Sequence, residues 1–95
     1  MTESIQVFTT VPSRAAADDL ARALVERRLA ACVQVLGPIA STYRWQGQIE
    51  TSEEWLCIAK SHQAVYASLE QAIRELHCYD VPEILALPVV AGGAA

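Results

Sequence analysis

The stretch Ile39–Lys60 constrains the fold more than any other, because it is typical of two long strands joined by a tight turn. Tyr43 and Trp45 favour extended backbone. Gln46-Gly47 predicts a two-residue turn, since glycine permits positive φ. Gln-Gly is weaker turn chemistry than Asn-Gly, so a looser loop of about four residues is the alternative. A long hairpin is therefore the first feature that the sequence predicts.

The second arm, Gln48–Lys60, is too long for a chain of 95 residues to cover with its own elements. Fully extended it would measure about 43 Å, whereas the usual strand has only about five or six residues. Glu50, Glu53 and Glu54 predict a solvated surface near the tip. We expect the tip to project. Because an exposed strand edge tends to pair with another strand, we expect its partner to be another copy of the chain.

Composition excludes several classes of protein. The chain, residues 1–95, is short enough to form a single domain. Its hydrophobic content of 53% is high for a domain that buries little surface by itself, which favours a subunit interface. A formal net charge of -4 without a basic run argues against nucleic acid as a partner. No apolar run approaches the roughly 20 residues of a membrane helix, so we expect no membrane partner.

The cysteines and the first residues indicate a compartment. Cys32, Cys57 and Cys78 are odd in number and form no C-x-x-C pair, which argues against a disulfide framework and a zinc knuckle. The N-terminal stretch lacks a charged segment followed by an apolar one, as a secretory leader would have. We therefore expect reduced cysteines and a cytoplasmic location.

The remaining segments alternate between strand and helix patterns. In order they are strand Ile5–Val11, a helix capped by Ser13, strand Ala31–Leu36 continuing past Gly37-Pro38 into the hairpin, a helix capped by Ser61, and strand Glu83–Val90. The apolar helix stripes are Ala17, Leu20, Ala21 and Leu24, then Val65, Leu69, Ile73 and Leu76. This βαββαβ order predicts an α+β fold with an antiparallel sheet and both helices on one face. The open face is left for other subunits.

Six segments of the sequence carry a resemblance to a known family. They are Thr9–Pro12, Leu29–Val33, Ser41–Gly47, Glu53-Glu54, Lys60 and His77–Val89. In this order they resemble the CutA1-type divalent cation tolerance proteins. The resemblance implies a ferredoxin-like fold, a PII-like homotrimer whose long hairpins pair between subunits, and a role in the tolerance of copper and other divalent cations. It supplies no catalytic reaction, and no nucleophile motif or phosphate loop is present, so we do not expect an enzyme.

The sequence departs from the family pattern near the predicted metal ligands. Thr9 stands where some members have a cysteine, and Leu76 precedes a single His77 where members with a copper site can have two histidines. Cys78 replaces the proline of the usual His-Pro-Tyr. The first two differences weaken the case for a copper site of the family type.

Four side chains near the end of the second helix form the best candidate metal site: His77, Cys78, Asp80 and Glu83. Imidazole and thiolate suit copper or zinc, and carboxylates complete such a shell. The alternative is structural, because His77 would favour the negative end of the helix dipole and Asp80 would cap the turn. A divalent metal is therefore the cofactor that the sequence predicts.

A second candidate site follows from the resemblance, which implies a cleft between subunits. Its residues would be Tyr43, Trp45, Lys60, Tyr79 and Glu83. Lys60 would meet an anion there, and Glu83 would hold the lysine in place. The alternative is that the aromatic side chains pack at an interface and that Lys60 and Glu83 form a structural ion pair. The cleft makes a PII-like sensor of a small anionic ligand the alternative function.

Overall fold

Four strands and two helices alternate in the structure, a computed structural model that describes residues 3–93. The elements are β1 (Ser4–Val11), α1 (Arg14–Glu26), β2 (Cys32–Trp45), β3 (Gln48–His62), a 3-10 turn (Gln63–Val65), α2 (Tyr66–Leu76) and β4 (Leu85–Pro88). The strands form one antiparallel sheet in the order β2-β3-β1-β4. The predicted α+β fold is therefore confirmed. No helix in the described part of the chain has the length and apolarity needed to cross a membrane.

Helix α1 begins where the sequence predicts. The Ser13 hydroxyl accepts a hydrogen bond from the Ala16 backbone N–H at 3.1 Å, which satisfies one of the free donors of the first turn. Ala17, Leu20 and Leu24 on the apolar face are all buried. The cap and the apolar stripe together fix which side of the helix meets the sheet.

The predicted cap of the second helix, Ser61, is wrong. Ser61 lies in β3 opposite Ile5 of β1, and its hydroxyl donates to the Leu29 carbonyl at 2.6 Å. The helix is reached instead through the 3-10 turn, and its N-cap, Val65, makes no side-chain hydrogen bond. Ladder pairing with β1 and a hydrogen bond at a buried position hold Ser61 in the strand more strongly than a cap would hold it at a helix end.

The hairpin closes through the tight turn, and the looser loop does not form. Gln46 and Gly47 have φ values of 50° and 81°, and Trp45 lies opposite Gln48 in the ladder. Two positive φ values in succession define the turn that matches the twist of antiparallel strands. Every residue from 42 to 51 is exposed, so the tip projects from the body of the chain as expected.

Strand β2 continues past Gly37-Pro38 into the hairpin as predicted, whereas β4 is shorter than predicted. β2 runs through Gly37-Pro38, where the peptide bond is cis and the register with β3 shifts between Leu36 and Ile39. β4 is shorter than the predicted strand Glu83–Val90 and pairs only with Ile5–Phe8 of β1, while the Thr10 carbonyl further along β1 is bonded to His77 instead. Both strands lie at the edges of the sheet.

The two faces of the sheet are covered unequally. β3 is an interior strand of the sheet, and on the helix side its Cys57 and Ala59 are buried. On the opposite side Leu36, Leu85 and Leu87 are 49%, 56% and 48% exposed. Within one chain, the face of the sheet opposite the helices is therefore only partly covered.

Replacement of Thr9 by valine is expected to raise the free energy of unfolding by about 1 kcal/mol. The Thr9 hydroxyl is buried and has no hydrogen-bond partner within residues 3–93, so its desolvation is uncompensated. Valine keeps the shape and removes the polar atom. Urea unfolding at fixed protein concentration measures the change, with Thr10→Val on the opposite face of β1 as the control. Destabilisation by Thr9→Val would show that the hydroxyl has a partner.

Candidate functional site

A groove of about 1070 Å³ lies between the hairpin and the segment that joins α2 to β4. Four carboxylates line it, those of Glu50, Glu54, Asp80 and Glu83. Three aromatic side chains, Tyr43, Trp45 and Tyr79, also line it. No Lys, Arg or His occurs among the lining residues that the structure describes. We call this feature the acidic groove, since its ionisable lining is dominated by groups that carry negative charge.

The acidic groove brings together four of the five predicted cleft residues, but not Lys60. Lys60 pairs with Gln6 of β1 and Cys32 of β2. It is six residues from Glu54 along β3, which corresponds to roughly 20 Å. One chain therefore does not place its lysine beside Glu83, and neither the predicted anion site nor the predicted ion pair is assembled within a single chain.

A side-chain hydrogen bond in the acidic groove joins Glu54 to Tyr79. The Tyr79 hydroxyl donates to Glu54 Oε2 at 2.8 Å. Burial, and then the hydrogen bond and charge of Glu54, raise the pKa of Tyr79 to about 12. Tyr79 therefore remains a protonated donor at neutral pH.

The prediction that Glu54 lies on a solvated surface is wrong, because its side chain is only 8% exposed. Glu54 shares a sheet face with Leu56 and Ile58, whereas Glu53 points to the other side and is exposed. No local pattern marks this burial, because it depends on Tyr79, 25 residues further along the chain.

His77 supports the acidic groove without lining it. Its Nδ1 accepts the Tyr79 backbone N–H at 3.0 Å, so its Nε2 carries the proton and donates to the Thr10 carbonyl at 2.8 Å. Burial lowers the pKa of His77, although the Thr10 carbonyl and the charge of Glu54 oppose the shift. The neutral imidazole thus uses both nitrogens to fix the segment that carries Tyr79.

The predicted metal set is only partly brought together. Cys78, Asp80 and Glu83 line the acidic groove, whereas both nitrogens of His77 are already bonded. Within residues 3–93, no three His, Cys, Asp or Glu side chains are grouped so that they would hold a metal ion. Among the other thiols, Cys57 is buried, and burial raises its pKa to about 11, which disfavours the thiolate that metals bind. The metal set remains a prediction.

Replacement of Tyr79 by phenylalanine is expected to lower the free energy of unfolding by about 1–2 kcal/mol, because it leaves a buried carboxylate oxygen of Glu54 without its donor. Tyr43→Phe is the matched control, since the hairpin tyrosine is exposed and its hydroxyl makes no hydrogen bond in the described part of the chain. Urea unfolding of both variants measures the difference. Equal losses in the two variants would contradict a structural role for the Tyr79–Glu54 bond.

Mild acid is expected to destabilise the protein through His77. The folded chain lowers the pKa of His77 from 6.5, so the stabilisation is complete above that pH and is lost as pH falls through the folded-state pKa. Urea unfolding at about pH 7.5 and about pH 5.5 measures the loss. His77→Gln is expected to lose less than the wild type, and His62→Gln, on the surface, as much as the wild type. Equal losses in all three proteins would contradict the assignment.

Comparison with known proteins gives consistent results. A sequence model described as CutA1 divalent ion tolerance protein matches residues 5–95. The chain is 44% identical over 86 residues to the divalent-cation tolerance protein CutA of Thermus thermophilus, a match that covers 90% of this chain and 84% of that protein. It is 42% identical over 89 residues to the chloroplastic protein CutA of Arabidopsis thaliana, which covers 94% of this chain. The chain spans only about half, 49%, of that plant relative.

The folds agree as well as the sequences do. The solved structure of the divalent cation tolerance protein Cut A1 from Thermus thermophilus superposes with a TM-score of 0.92 at 42% identity. The match covers 95% of this chain and 87% of that one. A family match over nearly the whole chain, together with this shared fold, shows that the chain belongs to the CutA1 divalent ion tolerance protein family.

Proposed function

We propose that the protein acts in the tolerance of divalent metal ions by binding them, or signalling their presence, at the acidic groove, and not by catalysis. The observation that carries the proposal is that a thiol, Cys78, and the carboxylates of Asp80 and Glu83 line the same groove as two further carboxylates. A thiolate suits copper and zinc, and carboxylates add oxygen ligands for either ion. Membership of the family supports the same role.

In this proposal His77 positions the loop that carries the ligands and does not itself coordinate the metal. Binding a metal through either nitrogen would break its bond to Thr10 or to Tyr79. Metal binding would break no side-chain hydrogen bond of Cys78, Asp80 or Glu83, since none exists within the described part of the chain. All three side chains are also exposed. The loop therefore supplies ligands to the metal, while the imidazole of His77 holds the loop in place.

We also propose that the working form is a homotrimer in which other copies complete the ligand shell. Support comes from the open face of the sheet, where Leu36, Leu85 and Leu87 are exposed, and from the projecting hairpin, where Trp45 and Ile49 are 60% and 62% exposed. Exposed apolar area of this kind marks an interaction surface. The described part of one chain groups no three ligands, so further donors from neighbouring copies would have to close the site.

The compartment that we propose is the cytoplasm. Three free cysteines, two of them exposed, suit a reducing environment. A PII-like sensor of anions gains no support from the acidic groove, because its carboxylates would repel such a ligand.

Calorimetric titration of the assembled protein with Cu²⁺ or Zn²⁺ tests the proposal. Cys78→Ser is expected to weaken binding at least about tenfold, whereas Cys32→Ser is the matched control because its thiol is also exposed but lies outside the acidic groove. Asp80→Asn should weaken binding less, since one oxygen donor remains. Equal affinity in Cys78→Ser and the wild type would remove the thiol from the site and leave the proposal without its main support.

A further inference from the structure

The acidic groove has features that binding of a bare metal ion does not use. Tyr43, Trp45 and Tyr79 reach it from two different parts of the chain, and they are 44%, 60% and 36% exposed. A small divalent cation takes oxygen, nitrogen or sulfur ligands and has no need of aromatic rings. The faces of aromatic rings instead attract organic cations, whose charge is spread over a larger apolar surface.

A carboxylate with an unused acceptor lies within this aromatic lining. Glu54 is more than nine-tenths buried, and the Tyr79 hydroxyl bonds to only one of its oxygens, Oε2. Within residues 3–93 its Oε1 has no hydrogen-bond partner, and the chain's ion pairs, Arg14–Asp18, Arg22–Glu26 and Arg74–Glu70, do not involve it. Oε1 is not among the fully buried unpartnered atoms of the described chain, so it is open to the acidic groove, where a cation that also donates a hydrogen bond would stabilise it.

The surrounding charge points to the same ligand class. The acidic groove carries three further carboxylates, and no basic side chain of the described chain neutralises them. Its volume of about 1070 Å³ is at the upper end of the range typical of small-molecule sites, so it has room for a ligand with a carbon skeleton.

We propose that the acidic groove binds an organic cation with an ammonium or guanidinium head. The head donates to Glu54 Oε1, and the carbon skeleton lies against Trp45 and Tyr43. The inference is independent of metal binding, because it rests on Glu54 and the aromatic rings and not on Cys78. Two sources supply this chemistry: a free amine, or a basic side chain of a neighbouring copy. Arg44 of β2 and Lys60 of β3 are the candidates for the second source, since both lie on the strands of the hairpin and neither forms an ion pair within the described residues.

Calorimetry with 1,4-diaminobutane tests the inference on the full chain in its assembled state, and 1,4-butanediol is the neutral probe of matched shape. The diamine is expected to bind saturably, and the diol is not. Glu54→Gln, whose amide oxygen still accepts from Tyr79, should weaken it at least about tenfold. Glu53→Gln is the matched control, because it removes the same charge one residue away on the other side of the strand. Agreement of the unfolding midpoints would show that the variants remain folded.

The outcomes separate the two sources. Binding to the wild type that depends on Glu54 supports a free amine as the ligand. Binding that appears only in Lys60→Gln or Arg44→Gln, and still depends on Glu54, supports a basic side chain of a neighbouring copy. The inference is overturned by no saturable binding in any of these proteins, by equal binding of the diol, or by equal losses in Glu54→Gln and Glu53→Gln.

Discussion

Replacement of Gly37 by alanine is expected to lower the free energy of unfolding by about 2–3 kcal/mol. The indole of Trp55 lies directly over this glycine, so an added Cβ would come within 2.7 Å of its Cγ and 2.8 Å of its Nε1. Non-bonded carbon atoms favour separations of about 3.5–4.0 Å, so this approach is strongly repulsive. Trp55 packs against the buried core, and a rigid ring held there has little room to withdraw.

Urea unfolding at fixed protein concentration measures this loss, and two further variants identify its cause. Gly93→Ala is the control, because a Cβ at that position meets no described residue within 4 Å. The double variant Gly37→Ala/Trp55→Leu should lose less free energy of unfolding than the two single variants added together, since the smaller side chain at position 55 relieves the overlap. Full additivity would mean that the indole is not what excludes a side chain at position 37.

Replacement of Leu69 by alanine is expected to have the largest effect, about 3 kcal/mol. Leu69 lies on α2, is 0% exposed, and belongs to the same buried cluster as Leu24 of α1 and Val7 of β1. Truncation removes buried methyl groups and leaves a cavity where α2 meets the rest of the core. Since small domains are stable by only about 5–15 kcal/mol, this loss is a large fraction of the total.

The matched control for Leu69→Ala lies on the same helix. Leu76 is 39% exposed, so Leu76→Ala makes the same chemical change with far less burial, and a loss below about 1 kcal/mol is expected. Thermal and urea unfolding of both variants measure the difference. Similar losses would contradict the placement of Leu69 in the core and Leu76 at its margin.

Periodicity predicted the fold because it records which side of each element is buried. The stripe through Leu69 and Ile73 identified α2, and the Gln46-Gly47 pair located the turn of the hairpin. Local patterns did not show where a long-range contact prevails over a local preference. Ser61 has the chemistry of a helix cap, but pairing of β3 with β1 holds it in a strand, a long-range contact that no local pattern records.

The resemblance implied that Tyr43, Trp45, Tyr79 and Glu83 share a cleft between subunits, which stays a prediction. Within one chain these four residues line the acidic groove. Glu54 was misjudged because burial by Tyr79 depends on the path of a loop 25 residues further along the chain. The loop itself is fixed by His77, whose bonds to Thr10 and Tyr79 could not be inferred from its position at a helix end.

The measurement that tests the account most directly is a calorimetric titration of the wild-type protein with Cu²⁺ and Zn²⁺, with its mass determined by light scattering in the same buffer. A trimer and saturable binding are expected, with a whole number of ions per trimer. Weak binding that does not saturate, on a protein whose trimeric mass is confirmed, would contradict a role through direct metal binding at the acidic groove.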